Sequence, residues 1–301
     1  WNAKPARAAA PADEIRIIAP MKSLYDVPAP AKLNLFLHIT GRRADGYHLL
    51  QSAFMLIDWC DTLHFECRSD GQITRTDLTH ALPADDLITR AARALQSATA
   101  CPLGAHISVE KRIPAQAGMG GGSSDAASCL LALNRLWNLK LSVQQLSRIG
   151  LQLGADVPFF LFGRNAWVEG IGEQMTALDL PSARFLVIKP EAGLDTKTIF
   201  STPDLKRDTN TATIADFAAY PYSFGCNDLQ PVAMRQCPQV DQALKWLDSA
   251  DLTGRMTGSG SAVFAPLVNE VRISDAPKAW LIQECKNLIV HPLQGWAISD
   301  S

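Results

Sequence analysis

The stretch IPAQAGMGGGSSDAA, residues 113–127, is a glycine-rich loop followed at once by a helical pattern. Four of the five residues 118–122 are glycines, so few Cβ atoms crowd the backbone and several N–H groups can point at a single ligand. Such a loop predicts an anion site. The alternative is a turn that merely reverses the chain, but ordinary turns rarely need three consecutive glycines and two serines before an apolar helix.

The residues after the glycines have the pattern of a helix. Ser123 or Ser124 is predicted as its N-cap, and Asp125 places an acid in the first turn. The apolar positions of one buried face are Ala126, Leu130, Leu133 and Trp137. Orphan N–H groups and the positive end of the helix dipole would therefore face the same space as the glycine backbone, which predicts a phosphate site. The loop has neither the Gly-Lys-Ser/Thr of a Walker A motif nor the βαβ context of a Rossmann fingerprint.

Composition limits the class of protein. The 301 residues are 47% hydrophobic and 19% charged, which is typical of a globular chain with a full core. The formal net charge is −2 and no run of Lys or Arg occurs, so no nucleic-acid partner is expected. No apolar run reaches the length of about 18 residues that predicts a membrane helix. The seven cysteines are scattered without a C-x-x-C pair, which predicts reduced thiols and a cytoplasmic location.

The N-terminal part of the chain combines an Ala/Pro-rich start with an alternating strand. Residues 1–20 are interpreted as a disordered leader or an extended start. Residues 32–39 alternate, with Lys32 and Asn34 projecting together from one face. The opposite, apolar face consists of Leu33, Leu35, Leu37 and Ile39. Alternation alone favours a solvated lysine at the strand edge.

A turn-rich connection follows this strand and ends in two aromatic side chains. Its Asp-Gly step favours a tight reversal, after which Tyr47 and His48 lie side by side. Such a pair could stack on and hydrogen-bond a planar ligand. Taken on their own, the two residues are more simply explained as half-buried packing.

The order of the next elements predicts an α+β domain. Strands at 61–67 and 106–111 surround a helix that begins near Asp86. The helix after the glycine loop is followed by a helix capped by Ser142, with Gly154 as the expected residue just past its end. This sequence of strands and helices fits a doubly wound sheet less well.

Asp156 follows on a short bend, where Pro158 is expected to prevent helical continuation. An aspartate that only caps or makes a turn is the alternative there. A hairpin is predicted over 165–178 and a domain boundary near residues 180–181. The predicted elements beyond are a strand at 183–189, a short helix at 196–200, a loop at 201–215, a helix capped by Asn227-Asp228, a helix at 240–247 and a small-residue loop, Gly258-Ser259-Gly260, that enters a strand.

These stretches together resemble the GHMP kinase family, named for galacto-, homoserine, mevalonate and phosphomevalonate kinases. Residues 30–35, PAKLNL, resemble its first motif, residues 114–127 its phosphate loop, and residues 257–261, TGSGS, its C-terminal glycine motif. The resemblance implies a two-domain α+β fold, with an N-terminal domain at 21–180 and a C-terminal domain at 181–301. The active site would lie in the cleft between the domains.

The resemblance also implies roles for individual residues. Lys32 and Asp156 would be the catalytic pair, and Asn34 would lie beside the reacting hydroxyl. The substrate's base would be held by Tyr47, His48 and, by its position after the strand at 183–189, Phe200. The ATP-binding residues would be Pro114, Ala115, Gln116, Ala117, Gly118, Met119, Gly120, Gly121, Gly122, Ser123 and Ser124, with Gly258, Ser259 and Gly260 forming the C-terminal glycine loop.

Three details within the family point to a member that phosphorylates a small cytidyl diphosphate substrate. They are Phe36-Leu37 after the first motif, residues 44–48 (ADGYH) and residues 154–158 (GADVP). ATP would be the phosphoryl donor with Mg²⁺, and no residue is assigned as a metal ligand. The enzyme would be a monomer or a homodimer. The alternatives are another small-molecule kinase of this fold, such as a homoserine or mevalonate kinase, and a non-catalytic nucleotide-binding regulator.

Overall fold

The computed structural model describes residues 21–268 and 275–299, so the predicted leader at 1–20 lies outside the described residues. The first half of the described chain is a six-stranded mixed sheet with helices packed on one face. Its strands are β1 (Ser23–Arg42), β2 (His48–Arg68), β3 (Ile73–Asp77), β4 (Gly104–Glu110), β5 (Ala166–Glu169) and β6 (Gln174–Ala177). Its helices are α1 (Leu87–Thr99), α2 (Gly121–Leu136), α3 (Val143–Leu151) and α4 (Val157–Phe162). The predicted α+β class is confirmed.

The second half of the chain adds another sheet with its own helices. The strands are β7 (Arg184–Lys189), β8 (Arg255–Met256), β9 (Val263–Leu267) and β10 (Leu281–Lys286), and among the described residues they form a four-stranded antiparallel sheet of order β10-β7-β9-β8. The helices are α5 (Thr196–Ser201), α6 (Ile214–Ala219), α7 (Gln230–Gln236) and α8 (Pro238–Ser249). In the part of the chain that the structure describes, no helix is both long and apolar enough to cross a bilayer.

Strand β1 lies between the two halves and is buried on both faces. Leu33 and Leu35 pack in one core with Phe185 and Phe264 of the second sheet. The strand predicted at 32–39 is confirmed as part of β1, but Lys32 on its polar face is not solvated, because the glycine loop, Phe54 and Asp156 surround it. Lys32 is only 3% exposed, so the interpretation as a solvated edge lysine is wrong.

One predicted helix start and one predicted helix cap are confirmed. Asp86 is the N-cap of α1 and accepts hydrogen bonds from the backbone N–H groups of Ile88 and Thr89. Ser142 is the N-cap of α3 and forms a reciprocal capping box with Gln145. The predicted hairpin at 165–178 is also present as β5 and β6, whereas the strand predicted at 61–67 is the end of the long strand β2.

Two helix ends near the glycine loop differ from the prediction. Helix α2 begins at Gly121 with Gly120 as its N-cap, in the left-handed region at φ 72°, so neither serine is the N-cap. Ser124 instead donates from its hydroxyl to the Pro30 carbonyl at 2.6 Å, because its side chain points into the body of the protein. Helix α3 ends at Leu151, one residue before its C-cap, and Gly154 lies in the following turn.

The segment before α7 was predicted as a side-chain cap and serves a tertiary role instead. The N-cap of α7 is Leu229, whose N–H donates to Asn227 Oδ1 at 2.9 Å. The Asp228 carboxylate accepts from the N–H of Ile39 on β1 at 2.7 Å, so it ties this segment to the central strand. The predicted loop at 201–215 ends two residues too late, because α6 begins at Ile214.

The described C-terminal residues return to the first sheet after passing through the second. Leu288, Leu293 and Trp296 pack against the first core. The N–H of His291 donates to the Gly163 carbonyl at 2.8 Å. The His291 ring is buried: its Nδ1 accepts from Leu293 N–H at 3.1 Å, and its Nε2 has no partner among residues 21–268 and 275–299. The segment is therefore held by a buried, neutral imidazole.

This imidazole predicts an acid-sensitive stability. Burial lowers the pKa of His291 from its ordinary 6.5 to about 4, so between these values the unfolded chain binds a proton that the folded chain does not. The contribution of His291 to the free energy of unfolding should be fully present above pH 6.5. It should fall by about 3 kcal/mol as the pH drops toward 4, since one pKa unit corresponds to about 1.4 kcal/mol. Urea unfolding at several pH values measures this change in the free energy of unfolding.

The variant His291→Asn keeps an acceptor near the position of Nδ1 but carries no proton in this range. We expect its free energy of unfolding to vary less between pH 6.5 and 4 than that of the wild type. His64→Asn, at a histidine with 23% side-chain exposure, is the matched control and should keep the wild-type slope. An unchanged slope in His291→Asn would show that other groups cause the acid sensitivity.

Candidate active site

A cleft of about 670 Å³ opens between the two halves of the molecule. The predicted residues that line it are Lys32, Asn34, Asp156, Phe200, Gly258, Ser259, Gly260 and every residue from Pro114 to Ser123. Ser124 is buried beneath the loop and does not line the cleft. Tyr47 and His48 lie outside the lining. The structure therefore brings together most of the predicted site.

Two glycines of the phosphate loop occupy positions where a side chain does not fit. Gly118 has φ +70°, and a Cβ atom there would lie 2.2 Å from the Thr257 carbonyl oxygen. Gly120 has φ +72°, and its Cβ would lie 2.9 Å from the Phe160 ring. Only glycine adopts this backbone without strain. Because α2 begins at the next residue, the first orphan N–H groups of a helix open toward the glycine backbone.

Residues on both sides of the C-terminal glycine loop hold the phosphate loop by hydrogen bonds to its backbone carbonyls. Ser261 N–H donates to the Gln116 carbonyl at 3.1 Å, and Ala262 N–H donates to the Ala117 carbonyl at 3.3 Å. The Thr257 hydroxyl donates to the Gly118 carbonyl at 3.3 Å. The two small-residue loops, predicted separately, thus form one rigid wall of the cleft.

Lys32 and Asp156 form an ion pair beside this wall. The distance from Lys32 Nζ to Asp156 Oδ2 is 3.6 Å, and the side chains are 4% and 33% exposed, respectively. Lys32 Nζ also donates to Asn34 Oδ1 and lies 4.7 Å from the centroid of the Phe54 ring. Burial lowers the pKa of Lys32, while the Asp156 charge opposes that shift. The Lys32 side chain is therefore held in place and shielded from solvent, and the Asp156 carboxylate remains open to the cleft.

The backbone around Asp156 explains why its carboxylate is free to face the lysine. Asp156 is the residue before α4, but its side chain caps no N–H group of the described chain. Pro158 lies in the first turn of α4 and has no N–H to be capped. The predicted bend is therefore the start of a helix, which the sequence interpretation missed. Pro just after an aspartate is itself a helix-start signal and would have found it.

Asn34 connects the pair to the C-terminal loop. Its backbone N–H donates to Thr257 Oγ1 at 2.9 Å, and its Nδ2 donates to Ser52 Oγ at 3.0 Å. Since Asn34 Oδ1 also accepts from Lys32, the amide orientation is set on both sides. Asn34 is 1% exposed and thus serves first as a support for the lysine.

Two of the predicted base-binding residues, His48 and Phe200, are in contact beside the cleft. The rings of His48 and Phe200 are 5.2 Å apart at an angle of 42°, and Phe200 lines the cleft. Tyr47 is 61% exposed. Arg207 Nε donates to His48 Nε2 at 3.0 Å. Arg207 was not predicted, because it is 159 residues from His48 in sequence and belongs to no motif.

A buried charged cluster below the phosphate loop was also missed. Lys111 Nζ pairs with Asp61 and, at 2.5 Å, with Asp125 Oδ2. Asp125 Oδ1 is buried and has no hydrogen-bond partner within the described residues. Burial raises the pKa of Asp125, the Lys111 charge opposes that shift, and the Asp61 charge adds to it. Lys111 and Asp125 both line the cleft.

Comparisons with known proteins identify the family of this fold. Residues 86–164 match the GHMP kinases N terminal domain, and residues 208–286 match the GHMP kinases C terminal domain. The chain belongs to the GHMP kinase family. Among curated GHMP kinases, it is 66% identical to the 4-diphosphocytidyl-2-C-methyl-D-erythritol kinase of Polaromonas naphthalenivorans (strain CJ2), over 92% of this chain and 97% of the relative.

Comparisons with two further GHMP kinases support the same family. The chain is 68% identical to the 4-diphosphocytidyl-2-C-methyl-D-erythritol kinase of Acidovorax ebreus (strain TPSY), over 92% of this chain and 99% of the relative. A crystal structure of 4-(cytidine 5'-diphospho)-2C-methyl-D-erythritol kinase superposes with a TM-score of 0.70 at 34% identity, covering 80% of this chain and 90% of that one. The predicted GHMP kinase fold is thereby confirmed, and its cleft is that of an ATP-dependent kinase.

Proposed function

We propose that this GHMP kinase transfers the γ-phosphoryl group of ATP to the 2-hydroxyl of 4-diphosphocytidyl-2-C-methyl-D-erythritol, giving the 2-phosphate and ADP. This reaction belongs to the non-mevalonate route to isopentenyl diphosphate. The observation that carries the proposal is the Lys32–Asp156 pair, 3.6 Å apart, beside a wall of glycine backbone. The names of the relatives at 66% and 68% identity support the choice of substrate.

The proposed mechanism follows from the positions of the charged groups in the cleft. In phosphoryl transfer the acceptor oxygen must be in line with the γ-phosphorus, and the charge on the transferring group must be neutralised. Asp156 accepts the proton of the 2-hydroxyl as that oxygen forms its bond to phosphorus and the bond to ADP breaks. Lys32 pairs with Asp156 and stabilises the charge that develops on the oxygen. The loop amides from Gly118 to Gly122 and the α2 N-terminus stabilise the triphosphate.

Mg²⁺ is the metal that a GHMP kinase reaction implies, and one oxygen of this cleft fits it. Within the described chain, no group of three or more His, Cys, Asp or Glu side chains forms a metal cage. Mg²⁺ in kinases is held by one or two carboxylates and the substrate phosphates, so a cage is not required. The buried, unpartnered Oδ1 of Asp125 would be that carboxylate oxygen. When bound, the metal would neutralise phosphate charge.

Substrate-dependent ADP release tests the proposal. The protein is given ATP with 4-diphosphocytidyl-2-C-methyl-D-erythritol, homoserine or mevalonate in turn, and ADP is measured by a coupled assay. We expect turnover with the cytidyl substrate to exceed the other two by orders of magnitude. Equal or higher turnover of homoserine or mevalonate would assign another small-molecule kinase activity, and no substrate-dependent ADP would favour a nucleotide-binding regulator.

We also infer a cytoplasmic location for this kinase. All seven cysteines lie within the described residues and are free thiols. Free thiols in this number are typical of a reducing compartment.

A substitution of His48 tests the base pocket. His48→Ala removes the ring that contacts Phe200, so the KM for the cytidyl substrate should rise by about tenfold or more, the range expected when a polar contact and a stacking partner are lost. The KM for ATP should not change, because His48 does not line the cleft that contains the phosphate loop. Steady-state kinetics in both substrates measures this. Equal increases in both KM values would remove His48 from the base pocket.

A further inference from the structure

The guanidinium of Arg207 uses all its donors on one loop and one ring. Arginine has five N–H donors in a fixed plane and no acceptor. Four of them donate to backbone carbonyls at 2.7–3.3 Å, and the fifth, on Nε, donates to His48 Nε2 at 3.0 Å. The carbonyls belong to Phe200, Thr202, Pro203 and Leu205. Arg207 therefore joins the loop that carries Phe200 to the imidazole.

This contact determines the tautomer of His48. Arg207 can only donate, so Nε2 must be the nitrogen with the lone pair, and the single proton of the neutral ring is on Nδ1. Burial lowers the pKa of His48, and the neighbouring charges of Arg207 and Arg42 lower it further, so the ring is neutral at physiological pH. His48 Nδ1 has no partner in the described parts of the chain and remains available as a donor.

A donor at this position distinguishes the two common pyrimidines. Cytosine has an unprotonated N3, which accepts a hydrogen bond, whereas uracil carries a hydrogen on N3, which would meet the Nδ1–H donor of His48. We propose that Arg207 is a positioning residue that holds His48 in the Nδ1–H form and thereby makes the pocket select cytosine over uracil. The inference rests on the proposed function and adds to it the residue that sets base specificity.

The tautomer itself can be measured without any activity. In ¹⁵N-labelled wild-type protein at neutral pH, long-range ¹H–¹⁵N spectra should show His48 with a protonated Nδ1 and an unprotonated Nε2. In Arg207→Lys, which keeps the charge but cannot span five acceptors, the two nitrogens should shift toward a mixture of tautomers. A wild-type His48 that is protonated on Nε2, or on both nitrogens, would overturn the inference.

Base selection is measured with a matched pair of substrates, the cytidyl compound and its analogue with uracil in place of cytosine. We expect the wild-type ratio of kcat/KM, cytidyl over uridyl, to be at least about 100, because a site built to hydrogen-bond one group rejects its mismatch strongly. In Arg207→Lys and Arg207→Ala the ratio should fall below about 10. If Arg207 only orders the loop that carries Phe200, its loss would lower kcat/KM equally for both substrates and leave the ratio unchanged. That result would overturn the proposal.

A second arginine provides the control for loop order. Arg235 pairs with Asp204 in the same loop and does not contact His48, so Arg235→Ala should keep the wild-type ratio. A ratio that falls as much in Arg235→Ala as in Arg207→Ala would assign the effect to the loop and overturn the role of Arg207. Failure of the proposed function is distinguishable, since it would appear as a wild type that turns over neither pyrimidine substrate.

Discussion

Asp156→Asn is expected to lower kcat by about two to four orders of magnitude, the range that general-base catalysis contributes. Asparagine has nearly the same shape but does not accept the hydroxyl proton. The binding of ATP should change little, because the phosphate loop is built from backbone and from the C-terminal glycine loop rather than from Asp156. Coupled ADP release gives kcat, and equilibrium titration with a non-hydrolysable ATP analogue gives the affinity.

Asp195 is the control for this substitution. It also lines the cleft, but its carboxylate caps α5 by accepting from the N–H and the hydroxyl of Thr198 at 3.0 and 2.7 Å. Asp195→Asn should therefore change kcat by no more than a few-fold. An Asp156→Asn protein with near-normal turnover would show that the carboxylate does not take the proton.

Gly118→Ala is expected to destabilise the protein by about 2–5 kcal/mol and to lower kcat/KM for ATP by about 100-fold. The left-handed backbone at φ +70° strains any other residue, and the new Cβ would lie 2.2 Å from the Thr257 carbonyl, a backbone atom that cannot rotate away. Relief of this contact would move the phosphate loop, and a misplacement of about 1 Å costs roughly this factor in rate. Urea unfolding and ATP kinetics measure the two effects.

Gly163→Ala separates the strain of a left-handed backbone from the steric clash of a new Cβ atom. Gly163 has nearly the same φ, +72°, but a Cβ there would meet its nearest neighbour, on His291, at an ordinary 3.6 Å. The control variant should lose about 1 kcal/mol of stability and keep its kcat/KM for ATP. If the two variants lost the same stability and activity, the contact between the two glycine loops would not matter.

Local chemistry made part of this molecule predictable from sequence. The glycine loop, the helix start near Asp86, the Ser142 cap and the β5–β6 hairpin depend on residues within a few positions of one another, so their patterns could be recognised directly. The proximity of Lys32 to Asp156 was expected from the family resemblance rather than from any local pattern.

The predictions that were wrong depended on contacts between distant residues. Alternation placed Lys32 in solvent, because nothing local shows that the glycine loop, Phe54 and Asp156 will surround it. Ser124 looked like an N-cap, but its hydroxyl bonds to Pro30, 94 positions away. Arg207 could not be found for the same reason, since its role depends on a partner 159 residues distant.

The contact between the two glycine loops also bears on how the protein is made. Residues 116–118 are held in place by residues 257–262, so a nascent chain that has not yet released this later segment from the ribosome contains the phosphate loop's sequence but not its shape. We therefore expect nucleotide to bind only after residues 257–262 have been synthesised and have packed on the phosphate loop. Nucleotide binding would then stabilise chains in which the two loops already pack together and would not assist the early steps of folding.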